Sequence, residues 1–534
     1  MDREYGASRT IARGAAVLAA AAIFVKVLSA VYRVPFQNIA GDEGFYIYQQ
    51  VYPIYGIIVV LATYGFPAGI SSMLASQDSG GRGGHKQLIT ASLLWISIFG
   101  LLGFTLLYMG AEEIALLMND LQLVPLIQVV AVSMLLLPLI SCVRGLYQSS
   151  GNMLPTAYSQ TIEQIVRVSV ILIGSFILME KGFSLYAVGR GAMMGSVYGG
   201  LAATVILLYF VIKDRDRHFP LQWPSYEIFL QSGRILLFQG LAFCLSNMYI
   251  LLLQLVDSFQ LYAALIDQGI LSQDAKVLKG TYDRGQPLIQ VGLVITTSLA
   301  LSMVPVLSSL RKQKAVEELK RMCRLTIKVS AAIGLAAAVG LTAILSSVNV
   351  MLFKDDQGRD ALIIIAFMIV FASVAITSAT ILQTLGRIKA SIIVVGLSVG
   401  LKAVMNPLFI ADGGIEGAAW SSLAATAFGA AALLILVGRE LSGEMISIRQ
   451  MAITATAALA MFGALAGYTF LFSIIFEGYL ASRWLSAIHA LSAVLLGVVV
   501  YLPVLVKMKL FSREELLLIP LGDRLVRLLP REKN

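Results

Sequence analysis

Apolar runs follow one another along the 534-residue chain at near-regular spacing, and each is closed by a short polar or charged loop. A helix needs roughly 20 mostly apolar residues to cross a bilayer. The pattern predicts fourteen spans, near 11–34, 47–75, 87–110, 122–147, 155–179, 184–212, 229–257, 285–310, 325–349, 360–383, 389–410, 415–438, 450–476 and 484–506. The first run carries Lys26 inside it and lacks a convincing cleavage site before the next, so it is expected to stay as the first helix and not to leave as a signal peptide.

Composition removes the soluble alternative. Length alone suggests three or four soluble domains, yet 58% of residues are hydrophobic, 13% are charged and mean hydropathy is +0.82. An ordinary soluble domain is about a quarter charged. The net charge of +9 does not indicate a nucleic-acid partner, because the basic residues lie in short loops and not along one stripe. They report sidedness instead. The loops on one side, together with both chain ends, hold 25 Lys and Arg, among them Arg3, Arg9, Arg13, Arg311, Arg324, Arg387, Arg439 and Arg449; the other side holds seven, beside Asp42, Glu43, Glu112 and Glu113. Short cytoplasmic loops carry the basic excess, so an even number of spans with both termini cytoplasmic is expected. Cys142, Cys244 and Cys323 show neither metal-type spacing nor a paired framework, and no disulfide is expected.

The chain also repeats. Leu146 to Gly151 matches Ile381 to Gly386 at an offset of 235 residues, the same offset sets Arg167 on Lys402, and Pro67 with Ser71 and Ser72 resembles Pro305 with Ser308 and Ser309. These matches predict an all-α polytopic membrane protein of two six-helix lobes related by pseudo-symmetry, with two helices appended. The expected boundaries are 1–212 for the first lobe, 213–228 for a cytoplasmic linker, 229–438 for the second lobe, 450–506 for spans 13 and 14, and 507–534 for a basic tail. Transporter folds are often built this way, with the binding site between repeats.

Charges inside spans are the candidate chemistry, because a charge at mid-bilayer costs on the order of 3 kcal/mol or more. Lys26 and Arg33 stand seven residues apart on one helical face with Ser29 between them. They either line a polar cavity or are structural cations held by other helices. Arg144, Arg167, Arg190, Arg234, Arg284 and Lys402 are further cations; Arg144 and Arg234 read as interfacial anchors, whereas Arg284 opens a span within Tyr282-Asp-Arg-Gly-Gln-Pro287 and is a cavity candidate. Glu163 and Arg167 are spaced i, i+4 in the favourable order, which predicts an intrahelical pair, either neutral or coupled to a proton or cation. Asp257 is the other carboxylate of interest, and His489 reads as a packed polar residue. Cations gathered at mid-membrane suit an anionic substrate, and a guanidinium fork suits phosphate or carboxylate. A cation exporter would gather carboxylates. The sequence holds no Walker-type G-x-x-x-x-G-K-[ST] and no H-E-x-x-H, so no nucleotide, metal or other cofactor is expected and the chain reads as a transporter, not an enzyme. The tail from Phe511 mixes Leu and Ile with Arg513, Arg524 and Arg527 and reads as an anchor on the inner membrane surface.

The stretch Phe24-Val-Lys-Val-Leu-Ser29, then Tyr32 to Pro35, Gly41 to Gly44, Tyr48 and Gly65 to Pro67 resembles the polysaccharide-transporter branch of the multidrug/oligosaccharidyl-lipid/polysaccharide exporter superfamily. Within it the chain resembles proteins related to stage V sporulation protein B and, more distantly, the MurJ lipid II flippases, over essentially its whole length. The resemblance implies a MATE/MurJ-like fold, two lobes that rock to give alternating access, and two last helices bordering a groove for a polyprenyl tail. It implies no nucleotide hydrolysis. A basic pair in the first helix and an Arg opening the eighth line a cationic cavity in such proteins, which match Lys26, Arg33 and Arg284; Asp257 matches an acidic residue ending the seventh. Lys26 stands where the family has Arg, and the second span has no basic residue where the flippases carry one.

The expectation that follows is a monomeric flippase of the bacterial cytoplasmic membrane. Its cargo would be an undecaprenyl-pyrophosphate-linked saccharide, its binding residues Lys26, Arg33, Arg284, Ser29 and Asp257, and its ion-coupling residues Glu163, Arg167 and Lys402. A multidrug antiporter using Glu163 or Asp257, or a non-transporting scaffold for wall synthesis, are the alternatives.

Overall fold

The computed structural model describes residues 18, 20–76, 81–214, 222–240, 244–245, 248–517 and 526, with backbone alone for 76, 81–83 and 239. Arg3, Arg9 and Arg13 of the expected N-terminal arm, Arg215 and Arg217 of the linker, and Arg524 and Arg527 of the tail lie outside the described residues. Twelve described segments are long and apolar enough to cross a membrane: α1 (Ala20–Ala75), α2 (Gly84–Met109), α3 (Leu121–Ser149), α4 (Leu154–Glu180), α5 (Leu185–Lys213), α6 (Tyr249–Asp267), α7 (Ser272–Lys312), α8 (Val316–Ala343), α9 (Arg359–Thr384), α10 (Ile388–Glu440), α11 (Ile448–Ile475) and α12 (Arg483–Lys507). Only a helix satisfies every backbone group of a lone segment within hydrocarbon, which is why apolar sequence gives helix throughout.

Two segments are hairpins. The Tyr32 and Tyr48 hydroxyls meet at 2.7 Å, whereas 16 residues of straight helix would separate them by about 24 Å. The chain reverses at Gly41, where φ is 71° and a side chain would be strained. Likewise the Ser398 hydroxyl donates to the Ala425 carbonyl at 2.7 Å across Gly414, φ 53°. Each of these two segments is therefore a pair of antiparallel limbs.

The described residues divide into two units, 1–283 with 399–414, and 284–398 with 415–534. Each unit brings together loops that the charge count assigns to one side. In the first, Asp120 accepts from Tyr46 (3.0 Å) and Tyr186 (2.5 Å), and Lys276 lies 3.7 Å from Glu43, joining four loops of the less basic side. Gly280 packs against the Gly41 turn so closely that a Cβ there would collide with the Asp42 carbonyl. On the opposite side Thr90 and Gln87 accept from the backbone of Gln222 and Ser225. In the second unit Arg387 pairs with Glu440 at 2.9 Å and Arg311 donates to the Thr384 carbonyl at 2.9 Å, both on the basic side. Arg483 donates to the Met351 carbonyl at 2.8 Å on the other.

In the first unit two π-helical turns, Leu61–Gly65 and Ile235–Gly240, face each other at Gly65 and Gly240. Such turns interrupt the regular ladder and recur at functional sites. The second unit packs α11 and α12 onto α8, with the Tyr501 hydroxyl donating to the Ala332 carbonyl at 2.8 Å.

Candidate functional site

The limbs of the α1 hairpin stack a run of aromatics, Tyr32, Phe36, Tyr48, Tyr52 and Tyr55, in the buried interior of the first unit. Phe36 lies 5.0 Å from Tyr48, and Tyr48 5.9 Å from Tyr52, between ring centroids. Arg33 rises among them, wholly buried at 0% exposure, with its guanidinium 4.2 Å from the Tyr52 ring centre. Its nitrogens make no hydrogen bond of good geometry and reach no carboxylate among the described residues, and the Tyr32, Tyr48 and Tyr52 side chains are the polar groups that act on it. A buried ionised group left this way carries a desolvation cost of several kcal/mol that cation–π contact, worth roughly 2 kcal/mol, offsets only in part.

A second guanidinium enters the same cluster from α4. Arg167 donates to the Tyr55 hydroxyl at 3.0 Å and the Ser29 hydroxyl at 3.1 Å, and lies 5.2 Å from the Tyr55 ring and 5.9 Å from Tyr32. Neither Arg33 nor Arg167 has a carboxylate partner among the described residues. Ser29, expected beside Lys26 and Arg33 as a binding hydroxyl, instead accepts from Arg167. Lys26 is half-buried on the same helix.

The intrahelical Glu163–Arg167 pair does not form. Glu163 is taken by Arg144 of α3 at 2.8 Å, and Arg144, expected at the membrane interface, is fully buried, donating also to Ser159 at 3.1 Å and Thr63 at 3.4 Å. Both arginines are buried, so packing across helices, and not a difference in exposure, decides which of them holds the carboxylate. Arg167 is left to turn toward α1. Arg190 and Arg234 are exposed, as anchors would be.

Asp257 and Lys402, distant in sequence, form the densest ionic contact of this unit. The Lys402 ammonium donates to Asp257 Oδ2 at 2.6 Å and to the Leu253 carbonyl at 2.9 Å, both side chains being at most 3% exposed. Tyr282 donates to the same carboxylate at 3.0 Å and Asn406 stands 3.4 Å from its other oxygen. Lys279 grips both oxygens of Asp283 at 2.7 Å one turn away on α7. The two pairs act electrostatically on one another, and Asp283 also on Arg33. Carboxylates therefore balance Lys402, Lys279 and Arg144, and the uncompensated positive charge resides at Arg33 and Arg167.

Arg284 belongs to the second unit. It is fully buried, and its two terminal nitrogens reach the two oxygens of Asp355 at 2.6 and 3.0 Å, with the Phe353 ring 5.1 Å away. Asp355 lies in the turn before α9. Burial pushes its pKa up, but the bonds from Arg284 and from the Gln357 N–H hold it below the ordinary carboxylate value. Nothing in the sequence singles Asp355 out from neighbouring Lys354 and Asp356. His489 is buried against Tyr468, ring to ring at 5.3 Å, and its Nε2 meets the Thr469 hydroxyl at 3.1 Å, a packed polar residue as its sequence context predicts. The start of the tail packs on protein: Leu510, Phe511 and Leu516 are buried, Glu514 pairs with Arg321 and Glu515 with Lys328. The three cysteines are free and buried. Among the described residues no group of three or more His, Cys, Asp or Glu is placed to hold a metal ion.

Comparison with known proteins agrees with this architecture. The family model described as polysaccharide biosynthesis protein matches residues 11–311, and that of MatE matches 280–408. The chain is 40% identical to the uncharacterized membrane protein YabM of Bacillus subtilis (strain 168), over 100% of this chain and 99% of that one. It is 26% identical to the lipid II flippase MurJ of the same organism over 79% of this chain and 82% of the relative, and 30% identical to its stage V sporulation protein B over 38% and 39%. A solved structure of the lipid II flippase MurJ in an inward closed conformation superposes with a TM-score of 0.67 at 14% identity, covering 91% of this chain and 98% of that one, which shows a shared fold. The chain is thus a multi-pass membrane protein of the polysaccharide biosynthesis protein family, within the multidrug/oligosaccharidyl-lipid/polysaccharide exporter superfamily.

Proposed function

We propose that the protein is a flippase that carries an undecaprenyl-pyrophosphate-linked saccharide across the cytoplasmic membrane by alternating access of its two lobes. The observation that carries this reading is the fully buried Arg33 guanidinium, set among tyrosines with no carboxylate on it, beside a second buried guanidinium that no carboxylate neutralises. A pyrophosphate supplies the missing acceptors and charge, and forked guanidinium contacts to phosphate are among the stronger hydrogen bonds. Arg33 and Arg167 take the pyrophosphate, with Lys26 on the same helix as a further cation and the tyrosine hydroxyls as neighbouring donors. The name of the lipid II flippase relative supports a lipid-linked cargo.

Lys402 and Asp257 are the coupling pair in this proposal. The ammonium sits where a carboxylate, a backbone carbonyl and an amide side chain converge, so ions or membrane potential act on the carrier by loosening that contact. The antiporter alternative would use Glu163 or Asp257 as its coupling carboxylate, and both are paired with buried cations, Arg144 and Lys402. The protein works as a monomer in this scheme.

Reconstitution into liposomes with a fluorescent lipid-linked oligosaccharide tests the proposal. Flipping that depends on the protein and fails in Arg33→Ala supports it. Absence of flipping by folded wild type, for every lipid-linked saccharide tried, moves the reading to an antiporter or a scaffold.

A further inference from the structure

Outside the membrane-buried charges, the second unit has a cleft of about 900 Å³ where three segments distant in sequence converge, with Val526 of the tail also on its wall. They are the first half of α8, the start of α11 and the turn that follows α12. Arg321, Lys328, Arg449, Lys509 and Arg513 line it, against a single lining carboxylate, Glu515. Glu515 is already committed, accepting from Lys328 at 2.8 and 2.7 Å and from the Ser512 N–H at 2.8 Å, and Arg321 is paired with Glu514. Arg449, Lys509 and Arg513 have no ion pair among the described residues.

The geometry that holds these cations is built, not incidental. Lys509 sits in the left-handed region, φ 56°, where the chain turns Leu510 and Phe511 into the protein. That turn carries Lys509 to the cleft wall and lays Phe511 5.0 Å from the Lys328 ammonium. On the opposite wall the 28-residue helix beginning at Ile448 is capped by Ser447 and Gln450, each accepting the other's N–H, so the positive end of a long helix faces the same space. Three unneutralised cations in one cleft repel one another, and an anion among them reverses the sign of that interaction.

We infer that this cleft is a second anion site, specific for phosphate groups, and separate from the Arg33 cluster. Two arginine forks, one ammonium and a helix N-terminus match a tetrahedral oxyanion, and the volume admits a head-group-sized ligand. A phospholipid head group and a soluble phosphate offer the same chemistry. The site would tie the docked start of the tail to α8 and α11 when it is filled.

The test uses the full chain, wild type and Arg449→Gln/Arg513→Gln, both changes at exposed positions. In detergent, inorganic phosphate and pyrophosphate are titrated against thermal stability. In nanodiscs, retention of phosphatidylglycerol is compared with that of phosphatidylcholine by native mass spectrometry. A shift with phosphate or pyrophosphate that weakens about tenfold or more in the variant assigns a soluble ligand, and selective phosphatidylglycerol retention lost in the variant assigns a lipid head group. Equal behaviour of the two proteins with every probe overturns the inference and leaves a solvated basic face. Should the double variant not fold, Lys509→Gln takes its place in both assays: weakened phosphate or phosphatidylglycerol binding supports the site, and binding equal to wild type overturns it.

Discussion

Arg33 and Arg284 are both arginines at 0% exposure, yet their surroundings differ in kind. Arg284 has a carboxylate oxygen on each terminal nitrogen, from Asp355, whereas Arg33 has the face of Tyr52 and neighbouring tyrosine hydroxyls but no carboxylate. A buried charge that its own chain neutralises contributes to structure; one that the chain leaves unsatisfied is set up for a partner from outside. The same distinction separates Lys402, Lys279 and Arg144, each with a carboxylate, from Arg167, which has hydroxyls and rings.

The sharpest way to break this comparison is to remove a neutralising carboxylate. Asp257→Ala leaves the Lys402 ammonium buried and unpaired, and the expected loss of stability is about 3–5 kcal/mol; the double change Asp257→Leu/Lys402→Met should recover most of it. Chemical denaturation in mild detergent measures both, and equal stability of the single and double variants would show that the pair is not what holds this region.

The next effect is on transport. Arg33→Met should lower flipping by about 10- to 100-fold, as expected for losing a hydrogen-bonded charge contact of about 1.5–3 kcal/mol, while thermal stability stays level or rises because an uncompensated buried charge is gone. Arg284→Met, by contrast, should lower stability. If both variants lose stability alike, the two arginines are equivalent and the distinction fails.

Tyr52→Leu keeps apolar volume but removes the ring under Arg33, and a loss of about 1–2 kcal/mol is expected, seen as a lower unfolding midpoint that is absent when Arg33 is already Met. The smallest effect concerns pH. Asp355 is held below the ordinary carboxylate value, so its pairing contributes above the unfolded-state pKa of about 4 and is lost only as pH falls through the lower folded value. Asp355 is 36% exposed, and solvent screening keeps this contribution small. Thermal unfolding followed from neutral to acid pH should give a smaller acid-dependent loss for Asp355→Asn than for wild type.

Sequence by itself determined the membrane class and the all-helical, multi-pass architecture, because lipid imposes helix and length on any spanning segment. It also marked Arg33, Arg167, Asp257 and Lys402, since any charge inside an apolar run is conspicuous. Which charge neutralises which was a matter for tertiary structure. Residues four apart on one helix suggested Glu163 with Arg167, but packing brought the buried Arg144 to Glu163 instead. The Asp257–Lys402 contact spans 145 residues of chain, and Asp355 lies in a turn whose acidic neighbours look alike in sequence. Local spacing says which partners are within reach, and desolvation across packed helices decides which of them is taken. That is why the candidate charges were legible from the chain and their division into satisfied and unsatisfied was not.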